Sequence, residues 1–344
     1  MAVPHTADAF VDLLAQSKLL AEPQLAEIRK KMPGSEPRLI ARQLVGDGKL
    51  SLWQAKQLLA GGVNFFLGRY KLIERLGEGA RGKVYKAEQS PSGRIVVLKV
   101  LSKDLLKDHE VVARWQREVR LAAALNHASI ITAYDAESFG DVHFMVMEFV
   151  NGYDLKHWSD EKGPLPIDWA TECIRQAAEG LGHAHDRGVI HRDIKASNLL
   201  VVAPDTKTYP ILKILDLGFA RFVAEETDSL RITHSGQTFG TPDYMAPEQA
   251  ESARNADPRS DIFSLGCTYF KLLTAEFPYS GVNSMQKLIA RAMHDARPVR
   301  EVRPEVPEGV ATVLAKMLAR KPEDRYQTCR DVAGALTPFA MKQS

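Results

Sequence analysis

The sequence predicts an α+β fold made of a small all-helical segment, a small β-rich lobe and a larger, mostly helical lobe. Two observations lead to this prediction. Apolar residues recur at helical spacing through residues 1–66, alternate as in strands from Tyr70 onward, and return to helical spacing after Gly152. The length of 344 residues also exceeds one typical domain, so we expect two units or one large two-lobed unit.

The helical segment, residues 1–66, has the apolar pattern of four short helices. A shift of 30 positions superposes similar residues, namely Phe10 on Ile40, Leu14 on Leu44, Leu20 on Leu50 and Gln24 on Gln54. The candidate N-cap Ser51 then falls on Ala21. We interpret this as a duplicated helical hairpin. The alternative, an accidental resemblance between amphipathic helices, stays open at this point.

The rest of the chain is divided between a β-rich lobe, residues 67–150, and a helical lobe, residues 151–340. The β-rich lobe is expected to hold five antiparallel strands and one main helix around residues 108–125. Turns rich in Gly, Pro and Ser separate its strands, as in an antiparallel meander. The later strands are expected near residues 130–137, 142–147, 199–202 and 211–215.

Composition and charge indicate a globular protein. Lys and Arg number 45 against 43 Asp and Glu, a net charge of +2, which is too balanced to indicate a nucleic acid or a membrane surface as partner. The cysteines form no CxxC pair or Cys/His cluster, so neither a disulfide framework nor a zinc site is expected. No apolar run approaches the roughly 18 residues of a membrane span, and no basic segment precedes the first apolar stretch. We therefore expect a cytoplasmic protein.

A glycine-rich turn lies between the first two predicted strands of the β-rich lobe. Gly77, Gly79, Gly82 and Val84 follow the pattern GxGxxGxV, in which glycines let backbone N–H groups approach phosphate oxygens. The position between two strands disfavours a dinucleotide-binding loop, which opens a helix. The pattern alone leaves an ordinary glycine hairpin as the alternative.

A lysine and a glutamate that could form an ion pair follow the glycine-rich turn. Lys99 ends an apolar strand, where an ammonium group must reach solvent or be held by an anion. Glu118, in the predicted helix, supplies a carboxylate that would hold this ammonium on the phosphates of a nucleotide. Taken by themselves, the two residues would be better explained as an ordinary strand-end lysine and a solvated helix glutamate.

The segment from His191 to Asn198 reads HRDxKxxN, and Asp216 begins a second acidic turn of the form DxG. This pair of motifs, in this order and spacing, is that of protein kinases. From Tyr70 to Leu336 the chain resembles the protein kinase superfamily, and within it the eukaryotic-like serine/threonine kinases of bacteria. The segment GTPDYMAPE at residues 240–248 carries the same resemblance. The implied fold is the bilobal kinase fold, preceded here by the helical segment.

The resemblance implies phosphate transfer from ATP, with Mg²⁺ or Mn²⁺, to a protein hydroxyl. Asp193 would orient the incoming hydroxyl, Lys195 would shield charge, and Asn198 and Asp216 would hold the metal ion. Lys99 and Glu118 complete the catalytic set. The implied ATP site consists of Leu76, Gly77, Gly79, Gly82, Val84, Val97, Lys99, Met147, Glu148 and Val150. Of these, Met147 would be the gatekeeper, while the Glu148 carbonyl and the Val150 N–H would bind adenine.

Other residues acquire roles from the same resemblance. Lys195 and Thr241 indicate serine/threonine rather than tyrosine specificity. Asp261 would anchor the catalytic loop, and Glu248 would pair with Arg325. Arg192 would hold a phosphate on the activation loop, whose hydroxyl groups are at Thr227, Ser229, Thr233, Ser235 and Thr238. We therefore expect autophosphorylation within residues 227–238.

The chain departs from the family pattern at a few positions. Val97 replaces the usual alanine and adds bulk on the adenine face, and Leu217 and Ala196 replace phenylalanine and proline. Ala80 and Arg81 occupy the tip of the glycine-rich turn, where a bulkier apolar residue is common. These changes remove no catalytic group, so an active enzyme is favoured over its alternative, a pseudokinase scaffold.

The helical segment has two possible roles. It is either a plain stabilising extension, or a module that binds the kinase lobe, a partner or a second copy of the chain through its apolar faces. The sequence does not name the protein substrate or the activating signal.

Overall fold

The structure is a computed structural model that describes residues 3–79, 82–102, 109–216, 242–252, 255–279, 281 and 283–343. The chain divides into two compact units. The first comprises residues 1–112 and 133–149, and the second residues 113–132 and 150–344. The helical segment therefore belongs to the same unit as the strands that follow it. The division at residues 66 and 150 stays a prediction.

Four helices make up the start of the chain, and their bounds are α1 Ala7–Ser17, α2 Glu22–Lys31, α3 Pro37–Gly46 and α4 Leu52–Leu59. The first residues of α1 and α3 lie 30 positions apart, and so do those of α2 and α4. This spacing agrees with the duplicated hairpin, which itself stays a prediction. The helices enclose an apolar core of their own, which contains Phe10, Leu14, Ile40, Leu44 and Leu58.

The corresponding helices α2 and α4 begin with the same contact. In α2, the side-chain oxygen Oε1 of Gln24 accepts a hydrogen bond of 2.9 Å from the backbone N–H of Ala21. In α4, Oε1 of Gln54 accepts a bond of 2.9 Å from the N–H of Ser51. Of these two helices, only α4 has a hydroxyl at the N-cap, and Ser51 Oγ accepts in return from the N–H of Gln54 at 3.0 Å. Ser51 and Gln54 therefore form a complete capping box.

One antiparallel sheet follows, with the strands β1 Phe66–Leu67, β2 Tyr70–Gly79, β3 Gly82–Gln89, β4 Arg94–Leu101, β5 Ala133–Phe139 and β6 Val142–Glu148. Their order is β1-β2-β3-β4-β6-β5. Within the described residues the sheet thus has six strands instead of the five expected. The additional strand is β1, which is only two residues long and pairs with the outer edge of β2. So short a strand carries no detectable alternation in the sequence.

The two faces of this sheet differ in character. One face is apolar and buried, with the core residues Tyr70, Leu72, Ala87, Val96, Leu98, Phe144 and Val146. The opposite face carries Val84, Val97, Lys99, Met145 and Met147, because side chains alternate along each strand and these residues pair directly across β3, β4 and β6. The predicted ATP-site residues of β3, β4 and β6 therefore share one face.

The second unit is mainly helical and has a small sheet of the strands β7 Tyr153–Asp154, β8 Leu199–Val202 and β9 Ile211–Ile214. Helix α5, His109–Ala123, crosses the boundary between the units. The helices of the second unit that follow are α6 Leu155–Lys162, α7 Ile167–His185, Pro247–Glu251, Pro258–Thr274, Ser284–Met293, Val299–Val302, Glu308–Met317 and Cys329–Leu336. Helix α7 and helix Pro258–Thr274 are almost wholly buried, so they form the centre of this unit.

Among the helices that the structure describes, none has both the length and the apolar composition needed to cross a bilayer. The three cysteines, Cys173, Cys267 and Cys329, are buried as free thiols. Burial raises the pKa of the Cys267 thiol to about 12. Because a thiol of this kind stays protonated at neutral pH, Cys267 acts as a small apolar core residue.

Candidate active site

The predicted catalytic loop lies between α7 and β8, and a buried carboxylate holds its backbone. Asp261 has no exposed surface. Its two oxygens accept hydrogen bonds of 2.8 Å from the backbone N–H groups of His191 and Arg192. Arg192 has φ of +66°, a left-handed conformation that is uncommon outside glycine. Asp261 therefore stabilises a strained turn directly before Asp193, which is the anchoring position that the resemblance implied for it.

The charge of Asp261 is maintained despite its burial. Removal from water acts to raise the pKa of this carboxyl, but the hydrogen bond with His185 and the charges of His185 and His191 outweigh it, so the pKa lies below its ordinary value. The bond between His185 Nε2 and Asp261 Oδ2 is 2.8 Å long. His185 was not singled out in the sequence, because it lies 76 residues from Asp261.

Asp193, Lys195 and Asn198 come together in one cluster. The Nζ of Lys195 lies 3.0 and 3.2 Å from the two carboxylate oxygens of Asp193. The Nδ2 of Asn198 donates to the backbone oxygen of Asp193 at 2.8 Å. The side chain of Asp193 is 14% exposed and that of Lys195 is 22% exposed, so both remain accessible to a substrate. The cluster thus joins a carboxyl group to a lysine amine, an arrangement that can position a hydroxyl group and shield a neighbouring phosphate.

The two residues expected to hold a metal ion lie at the same end of the β8–β9 hairpin. Leu199 pairs with Ile214 in that hairpin, and Asn198 and Asp216 lie next to this pair in the sequence. The backbone N–H of Leu215 donates to the oxygen of Asn198 at 2.9 Å, and Leu215 in turn accepts from His191 Nε2 at 2.7 Å. Asp216 has φ of +62°, so it too is held in a strained conformation of the kind found at functional sites.

This pair fits a hard divalent cation. The bond from Asn198 Nδ2 to Asp193 leaves the amide oxygen of Asn198 as the ligand atom, and Asp216 supplies a carboxylate. Nowhere in the described residues do three or more His, Cys, Asp or Glu side chains group as a metal site. Mg²⁺ suits such a place, since it usually takes one or two protein oxygens together with phosphates and waters instead of a full protein cage.

Glu248 and Arg325 form a buried, two-point ion pair. Arg325 Nη1 and Nη2 lie 2.7 and 2.9 Å from the two carboxylate oxygens of Glu248. Ser260 Oγ also donates to Glu248 at 2.6 Å. The pair joins helix Pro247–Glu251 to the residues before helix Cys329–Leu336. It therefore fixes the end of the GTPDYMAPE motif, residues 240–248.

Two basic residues of helix Ser284–Met293 bind the GTPDYMAPE motif, and the sequence analysis did not identify them. Nη1 of Arg291, a buried residue, donates to the backbone oxygens of Pro242 and Met245, the latter at 2.8 Å. Lys287 pairs with Asp243 at 2.5 Å. Both residues therefore fix the backbone of residues 242–245. No sequence signal indicates them, because the contacts span more than 40 positions of the chain.

The predicted nucleotide-binding residues of the first unit are on one sheet face and at its glycine-rich end. Val84 pairs directly with Lys99, and Val97 with Met147. Side chains of paired residues are neighbours. Lys99 therefore lies beside an apolar surface formed by Val84, Val97 and Met147. Glu148, predicted to bind adenine through its backbone, is the last residue of strand β6. Leu76, another predicted nucleotide contact, is exposed and thus open to a ligand.

The three glycines of the turn differ in what they require. A Cβ added at Gly77 or Gly79 would meet no other described atom within 4 Å, which leaves room for a ligand to approach their backbone. A Cβ at Gly82 would lie 1.9 Å from the backbone oxygen of Val100, and Gly82 has φ of +134°. Gly82 is therefore required by close packing against β4 and by its backbone conformation.

We expect Gly82→Ala to impair nucleotide binding much more than Gly77→Ala. The added methyl must push β3 away from Val100 and strain the backbone, which costs about 1–3 kcal/mol. Gly77 has open space, so its alanine variant is the matched control. The dissociation constant of Mg-ATP and the melting temperature of both variants are measured. Equal affinities would show that Gly82 has no special role.

Several predicted residues lie outside what the structure describes. They are the side chain of Glu118, the hydroxyl-bearing residues Thr227, Ser229, Thr233, Ser235 and Thr238, and Thr241. Ala80, Arg81 and Leu217 are also outside the described residues. The pairing of Lys99 with Glu118 and the roles of the activation-loop residues accordingly stay predictions.

An antiparallel sheet with a glycine-rich hairpin in the first unit and, in the second, an HRDxKxxN loop clustered around Asp193 are each features of protein kinase domains. The model of the family described as "Protein kinase domain" matches residues 70–334. The chain belongs to the protein kinase family.

Related proteins agree with this assignment. The chain is 35% identical over 272 residues to serine/threonine-protein kinase PknB of Mycobacterium leprae, a match that covers 78% of this chain and 42% of that protein. It is 32% identical over 265 residues to PrkC of Bacillus subtilis, covering 77% of this chain and 39% of that protein. The chain thus spans well under half the length of these relatives. The crystal structure of the PknI kinase domain of Mycobacterium tuberculosis is similar, with a TM-score of 0.60, 27% identity and coverage of 80% and 98% of the two chains.

Proposed function

We propose that this protein is an ATP-dependent serine/threonine protein kinase that transfers the γ-phosphate to hydroxyl groups of a protein substrate. The observation that carries the proposal is the catalytic loop, in which Asp193 contacts Lys195 and Asn198 at hydrogen-bond distance. The matched relatives PknB and PrkC are named serine/threonine kinases, which supports the same activity. The family match, the cluster around Asp193 and the names of the relatives thus all support a protein kinase.

The proposed role of Asp193 is to accept a hydrogen bond from the substrate hydroxyl and to direct its oxygen toward the phosphate. Lys195 lies beside the carboxylate and lowers the cost of the negative charge that develops on the transferred group. Positioning and electrostatics account for most of the catalysis of phosphate transfer, so few groups are needed. As the hydroxyl oxygen bonds to the γ-phosphorus, the bond from that phosphorus to the oxygen of the β-phosphate breaks and ADP leaves, while the proton of the hydroxyl passes to Asp193.

Asn198 and Asp216 would hold a divalent metal ion, which we propose is Mg²⁺, with Mn²⁺ as a substitute. When bound, the metal ion neutralises charge on the phosphate oxygens. Lys99 would bind the α- and β-phosphates from the sheet face, and the backbone of Gly77 and Gly79 would approach the phosphates where the turn is open. Met147 and Val97 would contact the adenine ring, with Glu148 and Val150 supplying backbone hydrogen bonds.

Regulation by autophosphorylation is part of the proposal. Arg192 precedes Asp193 in a loop whose backbone is fixed by Asp261, so a phosphate bound to Arg192 would act directly on the catalytic residues. The acceptor hydroxyls are proposed within residues 227–238. A pseudokinase scaffold is the second candidate, but Lys99, Asp193 and Asp216 are all present and two of them lie in the geometry described above. A cytoplasmic location remains a prediction.

Transfer of labelled γ-phosphate tests the proposed function. Wild-type protein with Mg-ATP is expected to label itself and a generic protein substrate, and acid hydrolysis should yield phosphoserine and phosphothreonine without phosphotyrosine. EDTA should abolish labelling, and added Mg²⁺ or Mn²⁺ should restore it, because the metal ligands are oxygens. Peptide mapping of the labelled chain locates the self-phosphorylation. Binding of ATP without any transfer would favour the scaffold.

A further inference from the structure

The amino end of helix α4 is bonded to the strand that leads into the glycine-rich turn. Ser51 Oγ donates to the backbone oxygen of Ile73, and Gln54 Nε2 donates to the backbone oxygen of Leu72 at 2.7 Å. Gln54 is 2% exposed, so this bond is sheltered from water. Both acceptors belong to β2, and Ile73 lies four residues before Gly77.

The irregular pairing of β2 explains why these oxygens are available. The register between β2 and β3 shifts between Leu72 and Glu74, so Ile73 has no direct partner on β3 and forms a bulge. On the other side, β1 pairs only with Tyr70 and Lys71. Beyond these pairs, the N–H of Leu72 donates to the oxygen of Phe65 at 2.7 Å, whereas the oxygens of Leu72 and Ile73 accept from side chains of α4.

A tryptophan between these two residues contacts the other strand of the glycine-rich turn. The rings of Trp53 and Tyr85 lie 5.8 Å apart at 61°, and Tyr85 directly follows Val84 on β3. Trp53 also packs edge-to-face on Phe65 at 5.8 Å. It contacts both the core of the helical segment and the core of the sheet. Residues 51–54 therefore touch β2 and β3, the two strands that carry Gly77, Gly79 and Gly82.

These contacts avoid the nucleotide face of the sheet. Trp53 packs on the core face with Leu72, whereas Val84, Lys99 and Met147 lie on the opposite face. The helical segment thus supports the strands without covering the residues that would bind ATP. This arrangement argues against a segment that blocks the nucleotide site from within its own unit.

We propose that Ser51, Trp53 and Gln54 are positioning residues for the glycine-rich turn. By holding the bulge of β2 and the start of β3, they set the position of the turn and so the affinity for nucleotide. The proposal rests on the proposed function, in which this turn covers the phosphates of ATP. The helical segment then positions the strands that carry the glycines and is more than a stabilising extension.

The variants Gln54→Met and Gln24→Met separate positioning from folding. Methionine has a similar length and no charge, so each variant loses the cap bond to the N–H of residue 51 or 21. Only Gln54→Met also loses the N–H donor to Leu72, so the difference between the two variants reports that bond. A second pair is Ser51→Ala, which loses the hydroxyl, and Ser51→Thr, which retains it.

We expect Gln54→Met and Ser51→Ala to raise the KM for ATP and the Kd of Mg-ATP by about three- to tenfold, the factor that corresponds to one lost hydrogen bond to β2. Values of kcat and the KM for protein substrate should change little. Gln24→Met and Ser51→Thr should bind Mg-ATP with the affinity of wild type. In the free protein, hydrogen exchange of the β2 and β3 amides should accelerate in the first two variants only.

Some results would overturn the proposal. The proposal is wrong if Gln54→Met and Gln24→Met have equal Kd for Mg-ATP and equal hydrogen exchange in β2 and β3. It is also wrong if Gln54→Met lowers the melting temperature but leaves the Kd unchanged. Wild type that binds Mg-ATP but transfers no phosphate would refute the proposed function, while the Kd and exchange comparisons would still decide this inference.

Discussion

Asp193→Asn is expected to reduce the kcat of phosphate transfer by about 10²- to 10⁴-fold, the usual contribution of a positioned acid or base. Asparagine keeps the shape of the side chain but carries no negative charge and accepts a proton poorly. The carboxylate of Asp193 holds Lys195 at 3.0 Å, so the cation would also lose its partner. Steady-state rates at saturating ATP measure the effect.

Two features of the structure make this variant informative. The bond from Asn198 Nδ2 goes to the backbone oxygen of Asp193, and the turn before it is held by Asp261. Neither contact needs the carboxylate, so the fold and the Kd of Mg-ATP should remain close to wild type. Asp186→Asn is the matched control, since Asp186 pairs with Arg330 at the exposed surface. A rate for Asp193→Asn equal to that of this control would refute the assigned role.

Arg325→Ala is expected to lower the free energy of unfolding of the second unit by about 3–5 kcal/mol, the usual cost of breaking a buried pair from one side. The side chain of Arg325 has no exposed surface. Besides Glu248, it donates to the backbone oxygens of Ala319, Arg320 and Arg259. Alanine would leave these acceptors and a buried carboxylate without the guanidinium. Urea denaturation measures the loss.

Two comparisons define the expected effect of Arg325→Ala. Arg330→Ala removes an exposed pair with Asp186, and such pairs contribute only about 0–1 kcal/mol. Arg325→Lys retains charge but lacks the two-point geometry, so it should fall between the other two variants. A loss for Arg325→Ala no larger than that for Arg330→Ala would show that the buried pair does not stabilise this unit.

The pH dependence of this effect has a definite sign. Burial acts to raise the pKa of Glu248, but its bonds to Arg325 and Ser260 outweigh burial, so the pKa lies below its ordinary value of 4.5. The stabilisation is therefore complete above pH 4.5 and is lost as the pH falls through the lowered pKa of the folded state. The difference in stability between wild type and Arg325→Ala should narrow over that acidic range.

Short-range patterns made the catalytic loop predictable from the sequence. Asp193, Lys195 and Asn198 lie within six positions, and their chemistry requires these residue types at this spacing. The four helices of the first 60 residues were also predictable, because each buries one apolar stripe at helical period. The family assignment, shown by the match to residues 70–334, agrees with the fold predicted from these features.

Contacts between distant parts of the chain were not predictable. The sixth strand, Phe66–Leu67, is too short to show a period, and it exists only because the edge of β2 is available to it. Arg291 and His185 read as ordinary surface or helix residues until the fold buries them against Met245 and Asp261. Their roles depend on the path of the backbone, which no local pattern encodes.

The glycine-rich turn shows most clearly which features could be predicted from the sequence and which could not. The sequence by itself predicted Gly77, Gly79 and Gly82 at the junction of two strands in a chain with the motifs of a kinase. In the structure Gly77 lies near the end of β2, Gly79 is its last residue and Gly82 is the first residue of β3. Only the tertiary structure decided that Gly82 is required by packing on Val100 and that Ser51, Trp53 and Gln54 hold the strands of the turn. The physical reason is that helix and strand periods are local, whereas packing and hydrogen bonding between elements depend on three-dimensional proximity.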